Sequence, residues 1–219
     1  MSEMLETNFS RSEQAGLGFL PEHAQNIYSV GVSTGGIAEI RMAELRPDAT
    51  IVATTLDEKG VEFSRSIIAD AGLKDRVTVK LEDVSEPLPY ENESFDYVYA
   101  RLVLHYLTKQ ALPAALSELH RVLKPSAGIF VVVRSTECPD FKKDGATYDE
   151  ETGLTRYIGG DGKVCFRQFH TQDSITKAMT AAGFTIDSVE QYDEQLFIDY
   201  ERKQIAPHTD NVIALAGHK

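Results

Sequence analysis

Chemistry-bearing residues follow four short apolar runs of this chain, each at the point where the run ends. The first run leads into Gly31-Val-Ser-Thr-Gly-Gly36, the second into Thr55-Leu-Asp-Glu58, the third into Glu82-Asp-Val84 and the fourth into Ala100-Arg-Leu102. A glycine turn that opens a helix exposes backbone N–H groups, which suit a ligand with negative charge or many hydrogen-bond acceptors. Glycine in such a turn can equally serve close packing of a strand and a helix, so the other strand ends must support the ligand interpretation.

Two histidines are candidates for catalysis. His105 follows the fourth run by one turn, and we place it with Arg101 on one face of a helix that would begin there. A histidine at this position can act as a general base or orient a substrate, or it can pack in the core. His170 precedes a late helical pattern and is the second candidate, with surface packing or helix capping as its alternative.

Three residues beyond the fourth run are candidates for holding a substrate. Arg134 ends a fifth apolar run near the mouth of the predicted pocket, where it would hold a carboxylate or pair with a nearby acid. Tyr157 and Arg167 lie in or near the segment 135–168, which is polar, glycine-punctuated and without sustained periodicity. Long segments of this kind often cover functional sites.

The alternation of apolar runs and helical patterns predicts an α/β fold, with a Rossmann-like, doubly wound, mostly parallel seven-stranded sheet and helices on both faces. Strands are predicted over 26–32, 50–55, 76–81, 95–100, 128–134, 184–189 and 211–216, and helices over 35–45, 58–71, 109–123 and 172–182. Asp57 is expected to cap the second helix rather than bind a ligand. The segment Lys124-Pro-Ser-Ala-Gly128 is expected to be a turn between a helix and a strand.

Composition narrows the class of protein. The chain has 219 residues, 42% of them hydrophobic, and a net charge of -12, which argues against binding to nucleic acid. Cys138 and Cys165 form no CxxC pair, so the cysteines indicate neither a disulfide framework nor a metal site. No long apolar run is present, and we expect a cytoplasmic protein without a membrane partner, acting as a monomer or homodimer.

The chain resembles the class I S-adenosylmethionine-dependent methyltransferases, of the small-molecule, methyltransferase type 11-like kind. The stretch from Leu88-Pro-Tyr-Glu-Asn-Glu-Ser-Phe-Asp96 to Leu104-His-Tyr-Leu107 carries this resemblance, together with Glu118-Leu-His-Arg-Val-Leu-Lys-Pro125. It covers residues 26–134 and extends loosely to Ala181-Ala-Gly-Phe184. The resemblance implies S-adenosylmethionine as cofactor, with binding positions at Ser29, Gly31, Ser33, Gly35, Thr55, Leu56, Asp83, Val84, Ala100 and Arg101. Within this set, the Asp83 carboxylate would accept the adenine amino group.

The glycine motif departs from the family pattern in three places. Ser29 and Thr55 stand where members usually have acidic residues, and Ser33 replaces a common second glycine. The hydroxyl groups can still form hydrogen bonds, but charge-assisted bonds are roughly twice as strong as neutral ones. Asp57 would compensate for the missing acid at the second strand if its side chain turned inward.

The resemblance implies one methyltransferase-like domain over residues 1–219. Residues 1–25 would form an N-terminal cover, 26–134 the cofactor-binding core, and 135–170 and 190–210 the substrate cover. The implied activity is methyl transfer to an oxygen, nitrogen or sulfur atom of a small molecule. A catalytically degenerate binding or scaffold protein is one alternative, and an enzyme that uses S-adenosylmethionine for other chemistry is a second. A nicotinamide dehydrogenase is disfavoured because the turn lacks a GxGxxG pattern.

Overall fold

A mixed sheet of seven strands forms the centre of the computed structural model, which describes residues 10–32, 34–160, 162–197, 199–206 and 208–219. The strands in chain order are β1 (Asn26–Val30), β2 (Thr50–Thr55), β3 (Val77–Leu81), β4 (Phe95–Arg101), β5 (Leu123–Arg134), β6 (Thr147–Tyr148), β7 (Thr155–Ile158), β8 (Val164–Arg167), β9 (Thr185–Glu194) and β10 (Asp210–His218). The α-helices are α1 (Arg11–Gly18), α2 (Ile37–Leu45), α3 (Glu58–Asp70), α4 (Ala111–Val122) and α5 (Gln172–Ala181). Two short 3₁₀ helices cover Thr34–Gly36 and Leu104–Tyr106.

The large sheet has the strand order β3-β2-β1-β4-β5-β10-β9. Strands β1 to β5 are all parallel to one another. Strand β10 runs antiparallel to both β5 and β9. The chain proceeds outward from β1 to β3 and then returns to place β4 on the other side of β1. Doubly wound sheets bind ligands at this reversal of strand order, beyond the carboxyl ends of the strands. The predicted Rossmann-like, mostly parallel seven-stranded fold is therefore confirmed.

The sheet separates two apolar cores, because alternate residues of a strand face opposite sides. Tyr97 and Tyr99 of β4 belong to one core with Ile40 of α2. Val98 of the same strand belongs to the other core, where it joins Leu116 of α4. Each large apolar side chain buried in this way contributes about 1.5–3 kcal/mol relative to exposure. Helices on both faces, as predicted, shield the central strands from water.

Helix starts in this chain follow local capping chemistry. The Asp57 side chain accepts a hydrogen bond from the backbone N–H of Lys59 at 3.1 Å and caps α3, which confirms the predicted capping role. Thr171 and Ser174 exchange side-chain and backbone bonds at the start of α5. These caps satisfy backbone N–H groups that have no partner within the helix.

The predicted turn over Lys124–Gly128 is wrong, because the structure includes these residues in β5. Phe95 pairs with Leu123 and Tyr97 pairs with Gly128, so the segment between the two pairs bulges from the ladder. Ser126 adopts a left-handed backbone conformation with φ of 63° within this bulge. Proline and glycine thus mark an irregular strand here rather than a separate turn.

Other boundaries shift by smaller amounts. Strand β1 ends at Val30 rather than at residue 32, and helix α2 begins at Ile37 after a 3₁₀ turn. Strand β9 continues to Glu194, so the predicted cover over 190–210 begins only after that residue. Strand ends depend on the length of the neighbouring strand, which local sequence does not report.

The segment predicted as cover over 135–170 contains regular structure. Strands β6, β7 and β8 form a three-stranded antiparallel sheet, called the small sheet below. The backbone N–H of Gln168 donates to the carbonyl oxygen of His105 at 2.7 Å, and that of Lys109 donates to Thr152 at 2.8 Å. These bonds attach the small sheet to the loop after β4.

Candidate functional site

A cleft of about 1220 Å³ lies beyond the carboxyl ends of the first four strands. Gly31, Thr55, Asp83 and Arg101 line it from the ends of β1, β2, β3 and β4. The small sheet and residues 196–206, called the arm below, also line the cleft; residue 198 of the arm lies outside the described residues. Ligand pockets commonly occupy roughly 300–1,000 Å³, so this cleft has room for two small molecules.

The predicted cofactor positions divide into those that line the cleft and those that do not. The lining positions are Gly31, Thr55, Leu56, Asp83, Val84 and Arg101. Ser29 and Ala100 are fully buried and do not line the cleft, so their contact with the cofactor stays a prediction. Gly35 lies beneath the arm, with the carbonyl oxygen of Tyr200 at 2.7 Å from the place of a Cβ atom. Ser33 lies outside the described residues.

Position 31 requires glycine, because the side chain of Val103 approaches its backbone closely. Its φ is 73°, and a Cβ atom there would lie 2.7 Å from the Cβ of Val103. Both facts exclude a larger side chain without strain. Glycine therefore leaves the backbone at the end of β1 open to the cleft.

An acidic side chain from α2 lies against Ser29, the position where the family pattern has an acid. The Ser29 hydroxyl donates to Glu39 Oε1 at 2.6 Å, and both residues are fully buried. The Glu39 carboxylate therefore lies next to the position where the family pattern has an acidic side chain, although it comes from a residue ten positions later in the chain. The packing of α2 against β1 brings it there, so the sequence alone does not reveal it.

Asp57 and Tyr200 close the cleft beside the end of β2. The Tyr200 hydroxyl donates to Asp57 Oδ2, and its ring stacks on Phe63 with centroids 5.4 Å apart. The hydrogen bond from Tyr200 lowers the pKa of the Asp57 carboxyl. Because Asp57 also caps α3, its carboxylate already has two partners, and it does not lie free in place of the acid missing at Thr55.

Asp83 presents a carboxylate to the cleft at the end of β3. One oxygen accepts from both the backbone N–H and the hydroxyl of Ser85, at 2.9 and 2.7 Å. Glu82, beside it, accepts from the hydroxyl groups of Tyr28 and Tyr90 at 2.7 and 2.9 Å. These bonds orient both acids before a ligand binds.

The predicted shared helical face for Arg101 and His105 is wrong. Arg101 is the last residue of β4, and His105 lies in a 3₁₀ helix after Leu102, whose φ is 54°. The Arg101 guanidinium instead points to α1, where it donates to the Ser12 hydroxyl at 2.5 Å and pairs with Glu194 at 3.4 Å. The positive charge of Arg101 is therefore paired with carboxylates of the protein itself.

Glu13 joins this buried charge network. Arg101 lies 3.7 Å from its carboxylate, and Arg202 of the arm donates to it at 2.8 Å. Burial alone would raise the pKa of Glu13, but the two guanidinium groups outweigh burial and lower it to about 2. The network connects α1, β4 and the arm around one end of the cleft.

His105 lines the cleft as a neutral imidazole. Burial, followed by the charges of Arg167 and Arg134, lowers its pKa well below the ordinary range. His170 is also buried, and burial lowers its pKa to about 4. His170 does not line the cleft, and its predicted catalytic role stays a prediction.

Arg134 lies in a buried ionic cluster at the far end of the cleft. It pairs with Asp140 at 2.9 Å and with Asp210 at 2.7 Å. The Cys138 thiol donates to Asp210 at 3.1 Å, and burial together with that carboxylate raises the pKa of Cys138 to about 12. Cys138, Asp140 and Asp210 are close enough to hold a metal ion, but Arg134 already pairs with both carboxylates and Lys143 lies 3.7 Å from that of Asp140. Of the two roles predicted for Arg134, the structure shows the second, pairing with nearby acidic side chains.

Arg167 and Tyr157 form the wall that the small sheet contributes. The Arg167 guanidinium lies 4.7 Å from the ring centre of Tyr106 and 5.7 Å from that of Tyr157. It donates to the Tyr106 hydroxyl at 3.0 Å. Both predicted substrate residues therefore line the cleft, on the side away from Asp83.

Several cleft residues were missed by the sequence reasoning. They are Glu13, Glu82, Asp140, Arg202, His208 and Asp210. The charge-rich segment after residue 190 gave the only signal for the arm, whereas nothing local to Glu13 or Asp210 indicates a long-range partner.

Fold and site together define a doubly wound α/β protein with a two-part ligand cleft at the strand ends. A sequence profile described as a methyltransferase domain matches residues 27–126. Demethylmenaquinone methyltransferase from Symbiobacterium thermophilum is 28% identical over 112 residues, which are 51% of this chain and 43% of that protein. A ubiquinone/menaquinone biosynthesis C-methyltransferase from Burkholderia vietnamiensis is 25% identical, over 76% of this chain and 69% of its own. The chain spans less than half the length of several other curated relatives.

Solved structures agree with the fold. A structure of an S-adenosylmethionine-dependent methyltransferase from Mesorhizobium loti has a TM-score of 0.70 at 17% identity and covers 98% of this chain and 100% of its own. The chain is thus similar to S-adenosylmethionine-dependent methyltransferases, in sequence over residues 27–126 and in fold over most of its length. This similarity implies S-adenosylmethionine as the cofactor. Among the described residues, no helix has both the length and the apolar character needed to cross a membrane.

Proposed function

We propose that this chain catalyses methyl transfer from S-adenosylmethionine to an oxygen, nitrogen or sulfur atom of a small molecule bound in the cleft. The observation that carries the proposal is the division of the cleft. Gly31 and Asp83 line the half formed by the strand ends, whereas His105, Tyr157 and Arg167 line the other half.

The residues present fit the cofactor in the first half of the cleft. The φ of 73° and absent side chain at Gly31 leave backbone exposed for the methionine portion. Asp83 has a carboxylate held by Ser85 for the adenine amino group, and the backbone of Val84 follows it. The Thr55 hydroxyl accepts from the backbone N–H of Asp57 at 3.2 Å and keeps its own hydrogen to donate to the ribose, whereas the Asp57 carboxylate is bound by Tyr200.

Bound S-adenosylmethionine supplies an electrophilic methyl group on a sulfonium centre. The chain's own part is chiefly to hold the acceptor atom in line with that group, because proximity and orientation account for about 7–11 kcal/mol of a barrier in favourable cases. His105 is neutral at pH 7 and can accept a proton from an acceptor that needs deprotonation. The arm and the small sheet exclude water from the cleft.

The binding partner that we propose is a small molecule, the methyl acceptor, and not a macromolecule. The net charge of -12 disfavours nucleic acid, and Arg101 and Arg134 are neutralised by neighbouring carboxylates. We also propose a cytoplasmic location, a monomer or homodimer, and one domain in which residues 26–134 hold the cofactor and the flanking segments cover the substrate.

A catalytically degenerate binding protein is the second candidate, favoured by the occupied carboxylate of Asp57 and the neutral Thr55. Isothermal titration with S-adenosylmethionine and S-adenosylhomocysteine, with NAD as control, separates the two. Micromolar binding of either ligand supports the enzyme, and screening of small acceptors for methylated product would follow. Absence of binding at millimolar ligand would reject the enzyme in favour of the binding protein.

A further inference from the structure

The wall opposite Asp83 contains buried polar atoms without hydrogen-bond partners among the described residues. Among residues that line the cleft, these atoms are Nε of Arg134, Nε of Arg167, Nδ1 of His105, Oδ1 of Asp140 and Oδ2 of Asp210. The two aspartate oxygens belong to the ionic cluster around Arg134. The Nε–H groups of the two arginines are donors without acceptors; such buried donors cost free energy in the free protein, and a ligand that supplies the acceptors recovers it.

The two arginines differ in charge balance. Arg134 pairs with Asp140 and Asp210 at 2.9 and 2.7 Å. In the part of the chain that the structure describes, no carboxylate lies within salt-bridge distance of Arg167, whose hydrogen-bond partner is the neutral Tyr106 hydroxyl. A partly buried guanidinium without a counter-ion favours an anionic ligand.

The surroundings of Arg167 also select the shape of that ligand. Its guanidinium lies over the rings of Tyr106 and Tyr157, at 4.7 and 5.7 Å from their centres. Leu107, which follows Tyr106 in the chain, also lines the cleft and adds apolar surface. A planar guanidinium over aromatic rings binds a carboxylate through two parallel hydrogen bonds while the rings contact an apolar body.

We propose that Arg167 anchors a carboxylate of the acceptor, so that the substrate class is small carboxylic acids with an apolar or aromatic body. The assignment of this anion as the methyl acceptor rests on the proposed function. Anchoring at Arg167 places the rest of the acceptor between the small sheet and the cofactor half, beside His105.

Register in the small sheet provides a matched control. Thr155 pairs with Arg167, and Tyr157 pairs with Cys165, so these side chains share the face toward the cleft. Arg156 pairs with Phe166 on the opposite face and is exposed. Replacing Arg156 removes the same charge from the neighbouring strand without touching the cleft.

Benzoate and its uncharged analogue benzamide are the probes, titrated calorimetrically into the wild-type protein, R167M, R167K and R156M. We expect wild type and R156M to bind benzoate at least tenfold more tightly than benzamide, because only the carboxylate pairs with the guanidinium. R167M should lose this preference, and R167K should retain part of it. Thermal unfolding of each variant shows whether the fold is intact.

Equal affinity for the two probes in wild type, no benzoate binding, or an unchanged preference in folded R167M would overturn the anion site. Separate titration with S-adenosylmethionine distinguishes this failure from failure of the proposed function. Binding of the cofactor without carboxylate preference removes the anion site alone. Carboxylate preference without cofactor binding leaves the anion site and removes the methyltransferase proposal.

Discussion

Replacing Glu13 by glutamine should destabilise the protein through one buried charge network. Glu13 and Arg202 are both buried, and Arg202 donates to the carboxylate at 2.8 Å. Arg101 lies 3.7 Å away on the other side. Glutamine keeps the size of the side chain and the N-terminal capping bonds to Ser10, so the substitution removes mainly the charge.

The expected magnitude follows from the pKa of Glu13. The guanidinium groups lower it from 4.5 to about 2, and a depression of that size corresponds to about 3 kcal/mol. Leaving a buried charge without its partner costs about 3–5 kcal/mol in comparable cases. We expect E13Q to lower the free energy of unfolding by about 3 kcal/mol at neutral pH. R202M should lower the free energy of unfolding by less than E13Q does, because Arg101 still pairs with Glu13.

Urea unfolding of the wild type, E13Q, R202M and the double variant measures these values. The unfolded chain binds more protons than the folded protein between the two pKa values, so the stabilisation is complete above pH 4.5 and disappears as the pH falls to about 2. The difference between the wild type and E13Q should therefore shrink over that interval. The double variant should show a coupling free energy of about 1–3 kcal/mol.

A loss below about 1 kcal/mol in E13Q, with an unchanged pH profile, would refute this reasoning, since an exposed ion pair behaves in that way. Hydrogen exchange adds a local readout. Amides of residues 199–206 should exchange faster in E13Q than in the wild type, because Arg202 holds this part of the arm to α1.

Three further predictions concern the cofactor half of the cleft and a buried histidine. Asp83→Ala should lower the affinity for S-adenosylmethionine at least tenfold, about 1.4 kcal/mol, with little change in melting temperature; unchanged affinity in calorimetry would contradict the site placement. Gly31→Ala should destabilise more than Gly72→Ala, by about 1–3 kcal/mol, because both have φ of 73° but only Gly31 meets Val103; equal melting temperatures would exclude the predicted clash. His170, with a pKa lowered by burial to about 4 against 6.5 in the unfolded chain, should cost stability as the pH falls from 6.5 to about 4. An NMR titration of its ring with a midpoint near 6.5 would show that the imidazole is not buried.

Local chemistry was enough to predict most of the scaffold. Asp57 caps α3 because a carboxylate reaches the N–H two residues on, and the continuous apolar run 129–133 forms the interior of β5. Neither feature needs a distant partner. The candidate residues at strand ends were predicted for the same reason, since the carboxyl ends of parallel strands share one edge of the sheet.

Residues with partners far along the chain were not predicted correctly. Arg101 was placed beside His105, but its partners Ser12 and Glu194 are 89 and 93 residues away. The bond from Ser29 to Glu39 was not predicted either. Each case concerns the direction of a side chain, which depends on the elements packed against it.

The sequence by itself determined the seven strands of the large sheet, four of the helices and the Asp57 cap, because these follow from hydrophobic periodicity and from contacts within a few residues. Only the tertiary structure decided which charges are neutralised and which face the cleft. Arg134 and Arg167 look alike in sequence, yet Asp140 and Asp210 neutralise the first while the second meets two tyrosine rings. Coulombic pairing depends on distance and burial in the folded chain, and a linear sequence specifies neither until the sheet and its covers have formed.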